Sequence, residues 1–181
     1  MIDDNSKYEL IETLARKCPN RMGRTALMKF MYFLQTLRNV PLGYRFSLHS
    51  YGPFDSDVLS DLGEAELLGY VNSEVKDYPG GYGYEIKDTE PPSKSEFLDE
   101  HEDDIGWVID EFGSDKSADL ELSSTIVFAD REERPCSQST EDLASLVHQV
   151  KPHFSKARII QRIERLEEKG ILGQRKGNKS N

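Results

Sequence analysis

The chain has 181 residues, of which 36% are hydrophobic and 31% are charged, and its formal net charge at pH 7 is −10. We expect one domain, or a small domain with a helical extension. No apolar run approaches the roughly 20 residues that a membrane-spanning helix needs, and the acidic N-terminal stretch MIDDNSKYELIE does not resemble a secretory signal. We therefore expect a cytoplasmic protein that does not enter a membrane, in which Cys18 and Cys136 are thiols rather than a disulfide.

The charges are segregated along the chain. Residues 16–54 contain seven basic residues and no acidic one, whereas residues 55–144 contain 26 acidic residues and only six basic ones. Residues 145–181 are basic again, with nine basic residues against three acidic ones. Blocks of this kind indicate either solvated faces or electrostatic contacts with a partner.

Two helices come first in the chain. Residues 7–17 carry an apolar stripe at helical spacing and follow Ser6, which is a suitable N-cap. A second helix, with Thr25 as its predicted N-cap, is apolar on nearly all sides, which is typical of a helix buried at the centre of a domain. It should end near Arg38, because Pro41 disfavours helical geometry in the residue before it.

The pattern then changes to a period of two. Apolar and polar side chains alternate over residues 44–49, which predicts a half-buried strand. The residues Tyr51-Gly52-Pro53-Phe54 should form the turn into a short helix that is interrupted at Gly63. A β-hairpin with a glycine-rich tip is predicted over residues 70–86.

The order helix, helix, strand, helix, hairpin is that of a winged helix-turn-helix. We therefore predict a mainly α (α+β) fold, in which residues 1–90 form a winged-helix-like part with the hairpin as its wing. Residues 91–173 should form a C-terminal helical extension packed on it as one globular unit, and residues 174–181 a frayed basic tail. Winged helices bind proteins as well as DNA, so the fold alone does not decide the function.

Four helices are predicted in the extension. The first runs from Ser95 to about Phe112 and has a strongly acidic face. The second covers residues 117–131, although residues 120–128 are also compatible with a strand. The third begins at Thr140, and the fourth follows the N-cap Ser155 and ends at Gly170.

The central helix and the residues after it carry a family resemblance. The matching residues are Arg24-Thr25-Ala26-Leu27-Met28-Lys29, Tyr32, Leu34-Gln35, Gly43-Tyr44, Phe46 and Tyr51-Gly52-Pro53-Phe54, with a second match at Val150-Lys151-Pro152-His153-Phe154-Ser155. These patterns resemble the Panacea-type antitoxin domain and its YwgA-like relatives. The sequence of the central helix differs from the commoner Panacea pattern K-L-Q-K-L-L-Y-F. The chain therefore resembles the YwgA-like branch more than the Panacea branch. The resemblance favours helix over strand at residues 120–128. It implies a non-enzymatic regulatory protein of a prokaryotic toxin–antitoxin or defence system, which binds and neutralises or regulates a protein partner such as a toxin.

Three groups of charged residues are candidate partner-binding residues. They are a basic island at Arg21, Arg24, Lys29 and Arg38, an acidic group at Asp99, Glu102 and Asp103, and a basic stripe at Arg158, Arg162, Arg165 and Lys169. The stripe would continue into the tail through Arg175, Lys176 and Lys179. The alternative for the basic island is a set of solvated ends around a core helix, and the alternative for the basic stripe is pairing with the acidic helix at residues 95–112 or a solvated face.

No pattern in the sequence indicates catalysis, a metal site or a cofactor site. The chain lacks a G-x-S-x-G motif, a P-loop and a dinucleotide-binding loop. His148 and His153 are separated by Pro152 and would not share a helical face, and the acidic run 96–111 lacks the spacing of a calcium-binding loop. We predict no enzyme, no cofactor and no metal.

The sequence therefore leaves two functions open. The first is a regulator that binds a protein partner, and the second is a winged-helix DNA-binding transcriptional regulator. We favour the protein partner, because affinity for DNA comes largely from neutralising phosphates and this chain is acidic. The sequence does not indicate an oligomeric state.

Overall fold

The computed structural model describes residues 3–78, 81–89, 91–132 and 139–173. These ranges contain eight helices and four strands. The elements are α1 (Asp4–Lys17), α2 (Arg24–Leu37), β1 (Ser47–His49), β2 (Gly52–Phe54), α3 (Ser56–Leu67), β3 (Val71–Tyr78), β4 (Gly81–Asp88), α4 (Glu96–Glu100), α5 (Glu102–Phe112), α6 (Ser117–Glu132), α7 (Thr140–Val150) and α8 (Lys156–Glu168). The predicted mainly helical, α+β class is confirmed.

Some predicted features lie outside the described residues. These are the centre of the hairpin tip at residues 79 and 80, the predicted thiol Cys136, and the basic tail with Arg175, Lys176 and Lys179.

The chain divides into two compact units. The first contains Met1–Ser47 and Phe54–Ser117, and the second contains Leu48–Pro53 and Ala118–Asn181. Neither unit ends at residue 90, where the sequence suggested a division. The acidic helices α4 and α5 therefore belong to the first unit, together with α1, α2, α3 and the hairpin of β3 and β4.

Helix α2 forms the centre of the core of the first unit. Residues 26–34 are all buried, and the ring of Phe33 stacks on that of Phe112 with 4.0 Å between the centroids. The predicted buried central helix is thus confirmed. Its N-cap is Gly23 rather than Thr25, and a Cβ at Gly23 would come within 2.9 Å of the Tyr84 carbonyl oxygen. Close approach of the hairpin therefore explains a glycine at this position.

Three other helix boundaries differ from those predicted. Asp3 caps α1 in place of Ser6, since its carboxylate accepts a 2.8 Å hydrogen bond from the backbone N–H of Ser6. Helix α3 runs through Gly63 without interruption, because a glycine lowers helix propensity without preventing helical geometry. The predicted helix from Ser95 to Phe112 is two helices, since His101 leaves helical geometry at φ −107° and ψ 16°.

The residues before α3 form a short hairpin. Burial alternates from Leu42 to Leu48 as predicted, but only Ser47–His49 form a strand. This strand pairs with β2, so the predicted turn into the helix is in fact the second strand of a hairpin. Gly52 begins that strand with φ +93°, a conformation that a side chain would strain.

The hairpin of β3 and β4 confirms the prediction for residues 70–86. The strands pair in an antiparallel register that places Ser73 opposite Ile86 and Val75 opposite Tyr84. The four strands form two separate two-stranded sheets. The winged-helix assignment of the first unit stays a prediction.

Helix α6 lies at the core of the second unit. Its residues 120–127 are all buried, and the helical prediction for residues 120–128 is confirmed. Helix α7 begins at a capping box formed by Ser139 and Asp142, and α8 begins at Ser155, whose side chain accepts from the Arg158 N–H. Both the predicted cap at Ser155 and the predicted end at Gly170, which has φ +69°, are confirmed.

Candidate partner-binding surfaces

Helices α4 and α5 carry an acidic face in the first unit. Burial of Leu98, Ile105 and Val108 fixes which side of these helices points inward. Asp99, Glu102 and Asp103 are consequently exposed. Glu102 lies 3.6 Å from the amine of Lys17, whereas Asp99 and Asp103 have no ion pair within the described ranges. The three predicted acidic residues of α4 and α5 are thus exposed, and we call them the acidic face.

A cleft borders the acidic face within the first unit. Its lining includes the carboxylates Asp99 and Glu102 and the basic residues Arg16, Lys17 and Lys94. Acidic and basic side chains therefore line the same cleft. Such an arrangement suits a protein surface with charges of both signs better than a polyanion.

A buried ion pair fixes the chain that leads into the acidic face. Glu12 is almost fully buried, and its carboxylate accepts from Arg16 at 2.8 Å and from the Ser93 N–H at 3.1 Å. Arg16 also lies 3.1 Å from Asp88 and donates to the Thr89 carbonyl at 2.6 Å. Glu12 is not among the residues predicted from the sequence. The spacing of Glu12 and Arg16, four residues apart on one helix, was the available signal.

The basic island is not a continuous exposed surface. Lys29 is 2% exposed, so its predicted place on a docking surface is wrong: α2 is buried on all sides at this position. The guanidinium of Arg24 lies over the ring of Tyr84, 3.6 Å from its centroid. Arg21 is exposed and lies 3.4 Å from Glu85. Two of the four predicted residues, Arg21 and Arg38, thus lie within ion-pair distance of carboxylates of the same unit.

Arg38 is the fourth residue of the basic island, and its contacts affect the pKa of the Asp104 carboxyl. It donates to Asp104 at 2.8 Å and lies over the ring of Trp107. Burial raises the pKa of Asp104, but hydrogen bonds with His101 and Arg38 outweigh burial and hold that pKa below its ordinary value of 3.8. Arg38 and Asp104 thus join α2 to α5 beneath the acidic face.

The basic stripe on α8 is also divided by burial. Arg162 is 8% exposed and donates a 2.6 Å hydrogen bond to the Ser123 hydroxyl. Its predicted exposure is therefore wrong, because this position faces α6. Arg158 lies 3.0 Å from Asp119. Arg158, Arg165 and Lys169 are exposed, so three of the four predicted cations of the stripe reach solvent, and one of these three is paired with Asp119.

The residues that carry the family resemblance have structural contacts. Gln35 binds both backbone groups of Tyr44, donating to its carbonyl at 2.8 Å and accepting from its N–H at 2.9 Å. The Tyr44 hydroxyl in turn donates to Asp61 at 2.7 Å, and both burial and this carboxylate raise the pKa of Tyr44. Residues in the first part of the resemblance, Gln35 and Tyr44, therefore hold the segment after α2 against that helix.

The second part of the resemblance is organised by Lys151. Its amine donates to the carbonyls of His49, at 3.1 Å, and of Ser50. It also lies 3.0 Å from Glu121 on α6. Within the second unit, Lys151 thus connects the hairpin residues to the segment before α8. In the sequence, Lys151 stands out only as part of a motif, and Glu121 is not among the predicted residues.

In the ranges that the structure describes, neither the features of a membrane-spanning helix nor those of a metal site are found. No helix there is both long enough and apolar enough to cross a membrane. No cluster of three or more histidine, cysteine, aspartate or glutamate side chains there is arranged to hold a metal ion.

Comparison with known proteins gives one relevant relative. The chain is 33% identical over 113 residues to the uncharacterized protein YwgA of Bacillus subtilis (strain 168), and the match covers 60% of this chain. The match spans 66% of that protein, just under two thirds of its length. This similarity supports a YwgA-like relationship. No protein-family model matches the chain, so the Panacea-type resemblance remains a prediction.

Proposed function

We propose that this YwgA-like chain is a non-enzymatic regulatory protein that binds a basic protein partner through its acidic face. In the antitoxin-like form of this proposal, the partner is a toxin that binding neutralises. The acidic face supplies Asp99, Glu102 and Asp103, and the adjoining cleft supplies the neighbouring cations Lys17 and Lys94.

One observation carries the proposal. Asp99 and Asp103 are exposed and have no ion pair within the described ranges, whereas most of the predicted basic contact residues are buried or bound to groups of their own unit. Carboxylates without an ion pair attract a basic protein and accelerate its association. The buried or bound cations contribute less to such a contact because their charges are already partly compensated.

The same observation weakens the alternative of DNA binding. Affinity for duplex DNA rises with the number of phosphates that Lys and Arg neutralise. Lys29 and Arg162 are buried, while Arg38 and Arg158 lie 2.8 and 3.0 Å from carboxylates. Few of the predicted cations are thus available to phosphates.

The proposal is tested with a triple variant of the acidic face. Asp99→Asn, Glu102→Gln and Asp103→Asn remove three negative charges while keeping side-chain size. The matched control is Glu64→Gln, Glu141→Gln and Glu164→Gln, which makes the same change of net charge at three exposed positions elsewhere. Tagged proteins are used to isolate partners from the source cells, and each recovered partner is purified and titrated at low and moderate salt.

We expect the acidic-face variant to bind a basic partner roughly tenfold or more weakly at low salt, mainly through slower association. The control variant should bind like the unmodified protein. A titration against random duplex DNA should show no binding at moderate salt. Equal partner affinity for the two triple variants would contradict the proposal, as would tight DNA binding that is lost in Arg165→Ala.

A further inference from the structure

Strands β3 and β4 form a two-stranded sheet, in which β3 has an outer edge. Strand β3 pairs with β4 along one side, and the opposite side of β4 is bridged at Ile86 by Met22. In the described part of the chain, no backbone group of β3 from Ser73 to Asp77 bonds outside the hairpin. Unpaired strand edges of this kind are templates for another strand.

The register shows which backbone groups point outward at that edge. The N–H of Ile86 donates to the Met22 carbonyl at 2.8 Å, so Ile86 directs its backbone groups away from β3. Ile86 lies opposite Ser73, which makes this a non-hydrogen-bonded pair of the antiparallel ladder. Because such pairs alternate with hydrogen-bonded ones, Ser73, Val75 and Asp77 also direct their N–H and C=O groups outward.

The edge also has an exposed apolar side. Val75 is 62% exposed and Tyr82 is 71% exposed. Val75 lies directly opposite Tyr84, and the rings of Tyr84 and Tyr82 meet edge to face at 6.3 Å. Side chains of directly opposed residues lie on the same face of a sheet, so the exposed Val75 and Tyr82 share one face with the half-buried Tyr84.

We propose that a second copy of this chain pairs with the edge, antiparallel and about a two-fold axis at Val75. The two Val75 residues then exchange both of their outward N–H···O bonds. Glu74 of each copy lies opposite Lys76 of the other in a non-hydrogen-bonded pair, with about 4.5 Å between Cα atoms. The result is a four-stranded sheet with the order β4, β3, β3, β4.

Charge complementarity selects this axis. With the axis at Ser73, Glu74 would lie opposite Asn72, and with the axis at Asp77, Lys76 would lie opposite residue 78. Only the axis at Val75 brings opposite charges together, and it does so twice, because a two-fold interface repeats every contact. Within one copy the amine of Lys76 already lies 2.8 Å from Glu74 and 3.8 Å from Glu85, so in the pair Glu74 of the other copy adds a third carboxylate beside each of these cations.

The same axis joins the apolar surfaces of the two copies. Val75 faces its counterpart, and Tyr82 and Tyr84 lie beside it on the same face of the extended sheet. Apolar and aromatic cross-strand contacts of this kind contribute to sheet stability. The interface is small, and we therefore expect a weak, concentration-dependent dimer.

The test uses charge reversal on the full chain. Glu74→Lys and Lys76→Glu each place like charges opposite one another in the homodimer, and we expect each to weaken self-association roughly tenfold, since cross-strand like charges are destabilising. An equimolar mixture of the two variants restores complementarity at both pairs and should recover the dimer. Sedimentation velocity from about 5 to about 500 µM covers the range in which small interfaces associate.

Two further variants separate pairing from folding. Val75→Pro removes an N–H that points outward and so spares the bonds of the hairpin itself, but it removes two bonds of the dimer. Val75→Thr keeps the N–H and should retain the dimer. Far-UV circular dichroism establishes that each variant is folded. A monomeric unmodified protein over the whole range would overturn the proposal, as would a mixture that fails to dimerise or a folded Val75→Pro variant that still dimerises.

Discussion

Glu121 and Lys151 form a buried ion pair in the second unit. The carboxylate of Glu121 lies 3.0 Å from the amine of Lys151, and the two side chains are 9% and 2% exposed. The contact is one of charge rather than of an aligned hydrogen bond, since the nearer Glu121 oxygen lacks hydrogen-bond geometry to any described group. His153, at 3.3 Å, adds a third group to the cluster. Removing one member of such a pair leaves the other charge buried without compensation.

Replacing Lys151 should therefore destabilise the second unit. We expect Lys151→Met to cost about 3–5 kcal/mol, because Glu121 is left unpaired and two backbone carbonyls lose their donor. Amide hydrogen exchange of α6 measures this unit directly. The matched control Lys156→Met changes an exposed lysine and should cost less than about 0.5 kcal/mol. The double variant Glu121→Leu with Lys151→Met should cost less than the sum of the single changes, and strict additivity would contradict the ion pair.

The core of the first unit offers a second test. Leu34 and Phe30 are buried on α2, so Leu34→Ala or Phe30→Ala should cost about 2–5 kcal/mol. Leu67→Ala is the control, because that side chain is 82% exposed. Urea unfolding followed by the fluorescence of Trp107 measures this unit, since Trp107 lies on α5 within it. A loss below about 1 kcal/mol at Leu34 would show that α2 is not the centre of the core.

These cores could be predicted from the sequence because they depend on local patterns. The apolar side chains on nearly all sides of α2 and the N-cap at Ser155 could be predicted, because each depends only on residues that are close together in the chain. The contacts that fix charged side chains could not be predicted, because they join residues far apart in the chain: Arg38 reaches Asp104 and Arg162 reaches Ser123. Lys29 shows the same limit, since a basic residue predicts exposure unless a distant neighbour buries it.

The backbone conformation of Gly52 supports a third prediction. Because φ is +93° there, a β-branched side chain is strained, and Gly52→Val should lower stability by roughly 1–3 kcal/mol and reduce soluble expression. Gly63→Ala is the opposite case: Gly63 lies inside α3 with open space around its Cα. The free energy of unfolding of the Gly63→Ala variant should therefore rise by up to about 1 kcal/mol. Thermal unfolding of both variants measures this difference in stability. If Gly52→Val folded normally but no longer bound the partner, the residues around Gly52 would instead be a contact site.

The lowered pKa of Asp104 predicts a dependence of stability on pH. A carboxyl whose pKa is lower in the folded than in the unfolded chain stabilises the folded chain at pH values above its ordinary pKa of 3.8. This contribution is lost as the pH falls through the lower pKa of the folded state. Asp104→Asn should therefore destabilise the protein at neutral pH and have a shrinking effect as the pH falls below 3.8. Asp110→Asn changes an exposed carboxylate on the same helix and should show no such trend. Urea unfolding of both variants from neutral to acidic pH measures the difference, and parallel curves would contradict the role of Asp104.

Arg162 and Arg165 have the same side chain and lie three residues apart on α8, but Arg162 is buried and Arg165 is exposed. Arg162 donates to the Ser123 hydroxyl at 2.6 Å in a buried setting, so Arg162→Ala removes packing and leaves a polar group of α6 without its donor. We expect a loss of about 1–3 kcal/mol. Arg165 is exposed, and Arg165→Ala should change stability by less than about 0.5 kcal/mol. Hydrogen exchange of the amides of α6 and α8 distinguishes the two. Equal protection in both variants would show that Arg162 contributes no more to this unit than a surface cation does.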